Sequence, residues 1–221
     1  MTLALIKLIQ LADSAAPIGW AAHSMGLESA VEERGLNVDD LPRMLAGWLS
    51  NSVAFEAAYC RRAFHLPAQV WLPDWYALND ELSAIRISKE SRAASATLGR
   101  RFLTLVANLE RSERLLAALD GARSFGSVTH HCAAFGLVAA TLGVDAQSAV
   151  EVYVQQSAAA MVSAAQRLLP LGQTRASQIL WDLKQEIMRA ARDLEPSCCF
   201  TPLLDIASMR HPDIPTRLFI S

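Results

Sequence analysis

Apolar side chains recur at steps of three and four residues along most of the chain, which is the period of an α-helix with one buried face. The first such stripe consists of Leu5, Leu8, Ile9 and Ala12. A second, within a segment from Arg86 to about Leu109, consists of Leu98, Phe102, Leu105 and Leu109. Both segments are therefore predicted to be amphipathic helices.

Further helices are predicted from the same period and from residues that favour helix ends. They are Met25 to Arg34; a helix capped by Asp39 or Asp40 with Leu41, Leu45, Trp48, Ser52, Phe55 and Tyr59 on its buried face; Glu113 to Leu119; Thr129 to Leu142; Asp145 to about Leu168; and one through Leu180, Leu183, Ile187, Ala191 and Leu194. Gly143 is the expected C-cap before the helix that Asp145 begins.

Two regions interrupt this pattern. Pro67 and Pro73 mark an irregular stretch with Trp71, Trp75 and Tyr76, whose large apolar surface predicts a packed loop. Pro212 and Pro215 exclude a regular helix in the last segment, residues 210–221. Because no linker is long enough to divide the chain and no repeat is visible, the sequence predicts an all-α, single-domain helical bundle over residues 1–221 with an irregular C-terminal tail.

The composition agrees with a helical fold and narrows the possible functions. The 221 residues include 37 Ala and 31 Leu against 10 Gly, which favours helices over sheets. The formal charge of −2 argues against nucleic-acid binding. The four cysteines form no C-x-x-C pair and the chain opens without a signal segment, so we expect a reduced, cytoplasmic protein. No uncharged stretch is apolar enough to predict a transmembrane helix.

The C-terminal tail ends in apolar residues, Leu218, Phe219 and Ile220, whose exposure on a free tail would be unfavourable. Two arrangements would cover them. The tail either folds back onto its own bundle or orders against a partner protein.

One short motif matches a catalytic pattern. Ala22-His23-Ser24-Met25-Gly26 fits the A-x-S-x-G variant of the nucleophile elbow of α/β-hydrolases. That elbow needs the serine on a strained turn from a central strand into a helix, whereas the residues before Ser24 have a helical pattern. We therefore keep a serine hydrolase as an alternative, against the simpler interpretation that Ser24 caps a helix and Gly26 permits close packing.

Metal-ligating residues are present but poorly spaced. His130, His131 and Cys132 are consecutive, and consecutive helical side chains point about 100° apart, so they cannot converge on one ion. We expect Cys132 and one histidine in the interior and the other histidine nearer the surface. Phosphate-binding loops of the nucleotide-binding types are missing from the sequence. A binding or scaffolding protein, or a helical ligand-binding regulatory protein, is favoured over an enzyme.

The whole chain resembles the UreF family of urease accessory proteins. The family's early loop, approximately P-x-G-[small]-[aromatic]-x-H-S-x-G-L-E, is similar to residues 17–28, which contain Pro17, Gly19, His23, Ser24, Gly26 and Glu28. Further matches follow in the family's order: Leu78-Asn79-Asp80, Leu98-Gly99-Arg100-Arg101-Phe102, His131 before Phe135-Gly136, Pro170-Leu171-Gly172-Gln173, Thr201-Pro202-Leu203-Leu204 and Arg217-Leu218-Phe219-Ile220-Ser221. Their shared order and spacing make coincidence improbable.

The resemblance implies a helical, homodimeric chaperone without catalytic activity. Such a protein joins the accessory protein UreD, also called UreH, recruits the GTPase UreG and assists nickel delivery into apo-urease. Nickel would be transient cargo of the complex, GTP and magnesium would belong to UreG, and no cofactor would be bound stably. The early loop, the basic position matched by Arg167, and Arg217, Leu218 and Phe219 of the tail are the implied partner-binding residues; His131 and His23 are the residues considered for nickel.

The loop departs from the family pattern at two positions. Trp20 replaces a small residue and Ala21 replaces an aromatic one. An indole cannot occupy the space of a small side chain. Since this loop is thought in the family to meet the C-terminal arginine, matched by Arg217, we expect that contact to be altered.

Overall fold

The computed structural model describes residues 2–13, 16–192, 199 and 201–220, apart from the side chains of Arg123 and Phe125. Within these residues the chain forms α-helices and no strands, which confirms the predicted all-α fold. The helices are α1 (Leu3–Ala12), α2 (Leu27–Arg34), α3 (Leu41–Trp48), α4 (Ala54–Phe64), α5 (Leu72–Ile85), α6 (Lys89–Glu110), α7 (Glu113–Phe125), α8 (His131–Leu142), α9 (Ala146–Leu168), α10 (Gln173–Asp182), α11 (Lys184–Arg192) and α12 (Pro202–Arg210).

Helix α8 is the centre of the bundle and packs mainly against α4 and α6. Two glycines permit this close packing. A β-carbon at Gly99 would lie 2.1 Å from the Thr129 carbonyl oxygen, and one at Gly136 would lie 2.0 Å from the Cys60 carbonyl oxygen. These distances are far below van der Waals contact, so α8 can approach its neighbours only with glycine at both positions.

Several predicted helix ends are confirmed in detail. The Asp145 carboxylate accepts a hydrogen bond of 2.8 Å from the backbone N–H of Ser148 at the start of α9. Gly143 ends α8 in the left-handed region, with φ +76°. Asp40 precedes α3, whose first turn holds Pro42, but its side chain makes no capping bond to the helix.

The packed loop predicted between Pro67 and Pro73 is wrong for its second half. Helix α5 begins at Leu72 with Pro73 in its first turn, where the missing N–H has no helical partner to lose. Helix α7 likewise continues through Gly121 to Phe125 instead of ending near Leu119. A β-carbon at Gly121 would lie 1.5 Å from the Tyr76 hydroxyl oxygen, so this glycine is required by packing against α5 and does not end the helix.

Two other predicted helices also have different limits. The helix predicted from Arg86 begins at Lys89, capped by the Ser88 side chain. The last predicted helix is divided at Leu183 into α10 and α11, and its predicted end at Leu194 lies outside the described residues.

A π-helical turn, Leu49–Val53, joins α3 to α4 in one continuous helical segment. On the predicted buried face, Leu41, Leu45, Ser52, Phe55 and Tyr59 are buried and Trp48 is half-buried. Within the described part of the chain, every helix is too short or too polar to span a lipid bilayer.

The C-terminal segment folds back onto its own bundle. Helix α12 packs on α2 and α6, and a short 3-10 turn, His211–Asp213, follows it. We call residues 211–220 the strap. Beyond Asp213 the strap has no regular secondary structure, as the two prolines predicted, and Ser221 lies outside the described residues.

Candidate functional site

The loop of residues 16–26, called the early loop below, is shaped by two glycines with positive φ. Gly19, at +87°, begins a 3-10 turn over Trp20–Ala22. Gly26, at +85°, follows Met25, which is at +52°, and the Leu27 N–H donates to the Ser24 carbonyl over 3.0 Å. Two successive residues with positive φ form a tight turn, which glycine adopts without strain.

Gly26 also brings the early loop against α12. A β-carbon at this position would lie 2.6 Å from the Leu204 carbonyl oxygen and 3.1 Å from the Ser208 nitrogen. A β-carbon at Gly19 would lie 2.5 Å from a terminal nitrogen of Arg101, but that flexible side chain can shift. Gly26 is therefore required by backbone conformation and by close packing, whereas Gly19 is required by its positive φ.

Glu28 links the start of α2 to the strap. Its side chain is 2% exposed. One carboxylate oxygen lies 2.7 Å from His211 Nε2 and also accepts from the Phe219 N–H over 3.3 Å, while the other accepts from the Leu218 N–H over 2.5 Å. A buried carboxylate needs such donors because it has lost its hydration. All three of these partners belong to the strap.

The early loop and the strap also contact each other directly. The Ile220 N–H donates to the Ala22 carbonyl over 2.8 Å. Arg167, at the end of α9, donates to the Ala21 carbonyl, and its guanidinium carbon lies 4.2 Å from the centroid of the Phe219 ring. The early loop, the end of α9 and the strap thus form one continuous surface.

The predicted partner-binding residues divide into two groups in this surface. Pro17, Arg167, Arg217 and Leu218 are exposed and Gly19 and His23 are half-buried, whereas Ser24, Gly26, Glu28 and Phe219 are buried. The first group is available to a partner. The second group shapes the surface from beneath, and direct partner contact by any of the ten residues stays a prediction.

The hydrolase alternative lacks its geometry. Ser24 is 0% exposed and lies between a 3-10 turn and α2, with no strand before it in the described part of the chain. Burial and the charge of Arg101 lower the pKa of the neighbouring His23. A nucleophile elbow presents its serine to substrate at a strand-to-helix turn, so Ser24 has the position expected of a structural residue.

His131 is enclosed by aromatic rings. Its ring centroid lies 4.5 Å from that of Trp20, 5.5 Å from Phe102, 5.7 Å from Tyr153 and 6.2 Å from Phe135. Burial, with a smaller contribution from the charge of Arg86, lowers the pKa of His131 to about 3. The indole of Trp20 therefore covers a neutral imidazole.

His130 is also buried, so the expectation that one of the two histidines lies nearer the surface is wrong. One ring nitrogen lies 2.9 Å from the Ser83 hydroxyl and the other lies 3.1 Å from the Ser95 hydroxyl. The backbone N–H of His130 donates to the side-chain oxygen of Asn79. These partners replace water, which explains why α8 begins in the interior. Cys132 is buried as expected.

Among the described residues, no three His, Cys, Asp or Glu side chains are grouped closely enough to hold a metal ion. Cys199 is half-buried, and Cys198 lies outside the described residues.

A buried ion pair, which the sequence analysis missed, lies beside the site. Arg86 Nη2 lies 2.6 Å from Glu56 Oε1, and the Tyr153 hydroxyl donates to Glu56 Oε2 over 2.6 Å. Although burial alone would lower the pKa of Arg86, the charge of Glu56 raises it. The two residues are 30 positions apart in sequence and no local motif connects them.

The ion pair faces a partly open cleft of about 70 Å³. Its other polar lining includes His23, Ser88, Asp205 and Ser208. Burial raises the pKa of Asp205, and Arg86 Nε is buried without a hydrogen-bond partner. Polar walls of this kind favour ordered water over an empty space.

Comparison with known proteins identifies the family of the chain. The UreF family model matches residues 36–184. The urease accessory protein UreF of a Nostoc species is 31% identical over 98% of this chain and 95% of its own length. The corresponding protein of Paenarthrobacter aurescens is 30% identical over 98% and 97% of the two chains, and that of Sporosarcina pasteurii is 29% identical over 88% and 100%. The chain therefore belongs to the UreF family of urease accessory proteins.

Proposed function

We propose that this chain is a scaffold in urease maturation, which joins the accessory protein UreD, recruits the GTPase UreG and assists nickel delivery into apo-urease. Membership of the UreF family supports the process. The observation that carries the scaffold role is the continuous surface of early loop, α9 end and strap. It exposes two arginines, Arg167 and Arg217, and an apolar side chain, Leu218. Arginine is among the residues enriched at the energetic centres of protein interfaces, and the exposed leucine adds apolar area that a partner can cover.

The proposal assigns no catalysis to this chain. Nickel is transient cargo, and GTP with magnesium belongs to UreG. The working unit is a homodimer in the cytoplasm. Free thiols at Cys60, Cys132 and Cys199 are consistent with a reducing compartment.

Of the two imidazoles considered for nickel, His23 is the more accessible. It is half-buried and lines the partly open cleft, whereas His131 is buried beneath Trp20. A lowered pKa keeps His23 neutral at physiological pH, the form that ligates metals. Nickel titration of the complex with and without His23→Ala tests this assignment, which fails if the two titrations coincide.

Co-elution with UreD and UreG on a sizing column tests the scaffold role, with GTP and nickel added for UreG. We expect a ternary complex for the unmodified chain. Leu218→Asp should weaken UreD binding at least about tenfold, because it places a charge in an apolar contact. Leu109→Asp, at the end of α6, is the matched control, since the two leucines are 58% and 61% exposed. A folded chain that binds neither partner would refute the proposal.

A further inference from the structure

Glu28 lies under the proposed partner surface and does not belong to its exposed part. It is 1% exposed as a residue, and its side-chain hydrogen bonds within the described residues all go to the strap. A partner docking on the surface cannot reach this carboxylate while the strap is in place. Any effect of Glu28 on partner binding must therefore pass through the strap.

Besides the bonds to Glu28, the end of the strap is held by the Ile220 bond to the Ala22 carbonyl and by the contact of Phe219 with Arg167. Arg217, Leu218 and Ile220 point their side chains to solvent, and the buried ones are His211, Ile214 and Phe219. Its segment after Asp213 has no helical hydrogen bonds of its own. The bonds to a charged acceptor are among the strongest available to such a segment. Glu28 is thus well placed to decide whether residues 218–220 stay ordered.

We propose that Glu28 is a positioning residue, which holds the strap against the early loop in the free chain so that the partner surface is assembled before the partner arrives. This inference rests on the proposed function. A partner that meets a preformed surface does not have to order the strap, and association is then faster. Glu28 acts on affinity without touching the partner.

The first test measures amide hydrogen exchange in the free chain. Glu28→Gln keeps the size of the side chain but leaves one acceptor oxygen and adds an NH₂ group facing the strap donors. We expect the amides of Leu218 and Phe219 to exchange at least about tenfold faster, since both lose a charged acceptor. Glu33→Gln is the matched control. Glu33 lies in the same helix and pairs with Arg210 at the surface, 3.3 Å away, so its substitution should leave the two amides unchanged.

Unchanged exchange in Glu28→Gln would overturn the inference. If that variant does not fold, Glu28→Asp provides the same readout, because it keeps the charge but withdraws the carboxylate from the strap. The result does not depend on any partner, so failure of the scaffold proposal, seen as no complex with the unmodified chain, is distinguishable from failure of this inference.

The second test separates positioning from general stabilisation. Phe219→Ala also loosens the strap, by removing its buried ring. The double variant combines Glu28→Gln with Phe219→Ala. If Glu28 acts through the strap, the affinity of the double variant for UreD should equal that of whichever single variant has the lower affinity. The loss of affinity should appear in the association rate constant. If the fold-decrease in affinity of the double variant equals the product of the two single fold-decreases, Glu28 and the strap act independently. That result would also overturn the inference.

Discussion

The guanidinium group of Arg167 lies over the ring of Phe219, with 4.2 Å between its central carbon and the ring centroid. The same side chain donates to the Ala21 carbonyl, so one residue of α9 holds the strap and the early loop together. A planar guanidinium can stack and donate at once, which an ammonium group cannot. Arg167 is exposed, yet its contacts are within the chain.

Arg167→Lys should therefore loosen the strap although the charge is retained. We expect the Ile220 amide, which donates to Ala22, to exchange about three- to tenfold faster, corresponding to a loss of about 1 kcal/mol. Hydrogen exchange read by mass spectrometry measures this change. Arg175→Lys, at an exposed position of α10, is the control; equal exchange in both variants would contradict the prediction.

Gly26→Ala should destabilise the chain strongly. The substitution combines a positive φ with a β-carbon 2.6 Å from the Leu204 carbonyl oxygen, and these effects together should lower the free energy of unfolding by about 2–5 kcal/mol. Gly35→Ala is the matched control, since Gly35 has φ +65° with nothing within 4 Å of its β-carbon position. Urea unfolding of both variants separates the contact from the backbone strain, and equal losses would show that α12 does not press on the turn.

Glu56→Gln should also be costly, because it leaves the buried Arg86 charge uncompensated. We expect a loss of about 3–5 kcal/mol in the free energy of unfolding. The control is Glu110→Gln, which breaks the ion pair between Glu110 and Lys7. The Glu110 side chain is 28% exposed and the Lys7 side chain is 41% exposed. That loss should stay below about 1 kcal/mol. Similar values for the two variants, measured by urea unfolding, would contradict the prediction.

Stability should fall as the pH drops below neutrality. Burial lowers the pKa of His130 and of His131 from 6.5 to about 3. Between these values the unfolded chain binds more protons than the folded one, so the free energy of unfolding rises with pH in that window and is lost on acidification. From about pH 7.5 to about pH 5.5, each histidine should contribute a loss of about 1.4 kcal/mol.

His131→Phe should remove about 1.4 kcal/mol of this pH dependence, because phenylalanine does not titrate and suits an aromatic surrounding. His65→Phe, at an exposed position, should leave it unchanged. Urea unfolding curves at the two pH values give the difference directly for each variant. An unaltered difference in His131→Phe would mean that this imidazole is not kept neutral by the fold.

The features that could be predicted from the sequence are those decided by neighbouring residues. The cap at Asp145, the left-handed end at Gly143 and the apolar stripes depend on residues within a turn or two of each other. Gly121 marks the limit of that reasoning. Its residue type alone predicts a helix breaker, but its place inside α7 is explained by Tyr76, 45 residues earlier.

The site itself depends on contacts across the chain, which explains why its internal organisation was not predicted. Glu28 meets residues 183 to 191 positions away, and Glu56 meets Arg86 and Tyr153. The family resemblance selects Glu28, but a glutamate is usually exposed, so its residue type gives no reason to expect it in the interior. Trp20 departs from the family pattern, and its tilted packing against His131 accounts for the space that its indole occupies.

The π-helical turn between α3 and α4 sets the rotation of α4 about its own axis. Such a turn is equivalent to one extra residue in a regular helix, which rotates the following helix by about 100° relative to an uninterrupted one. Glu56 lies only three residues after Val53, the last residue of the turn. Deleting Asn51 would turn the Glu56 carboxylate away from Arg86 and Tyr153, so the charge balance around Arg86 depends on the length of this turn. Natural variation in chain length at that turn is therefore expected to be more damaging than most substitutions within it.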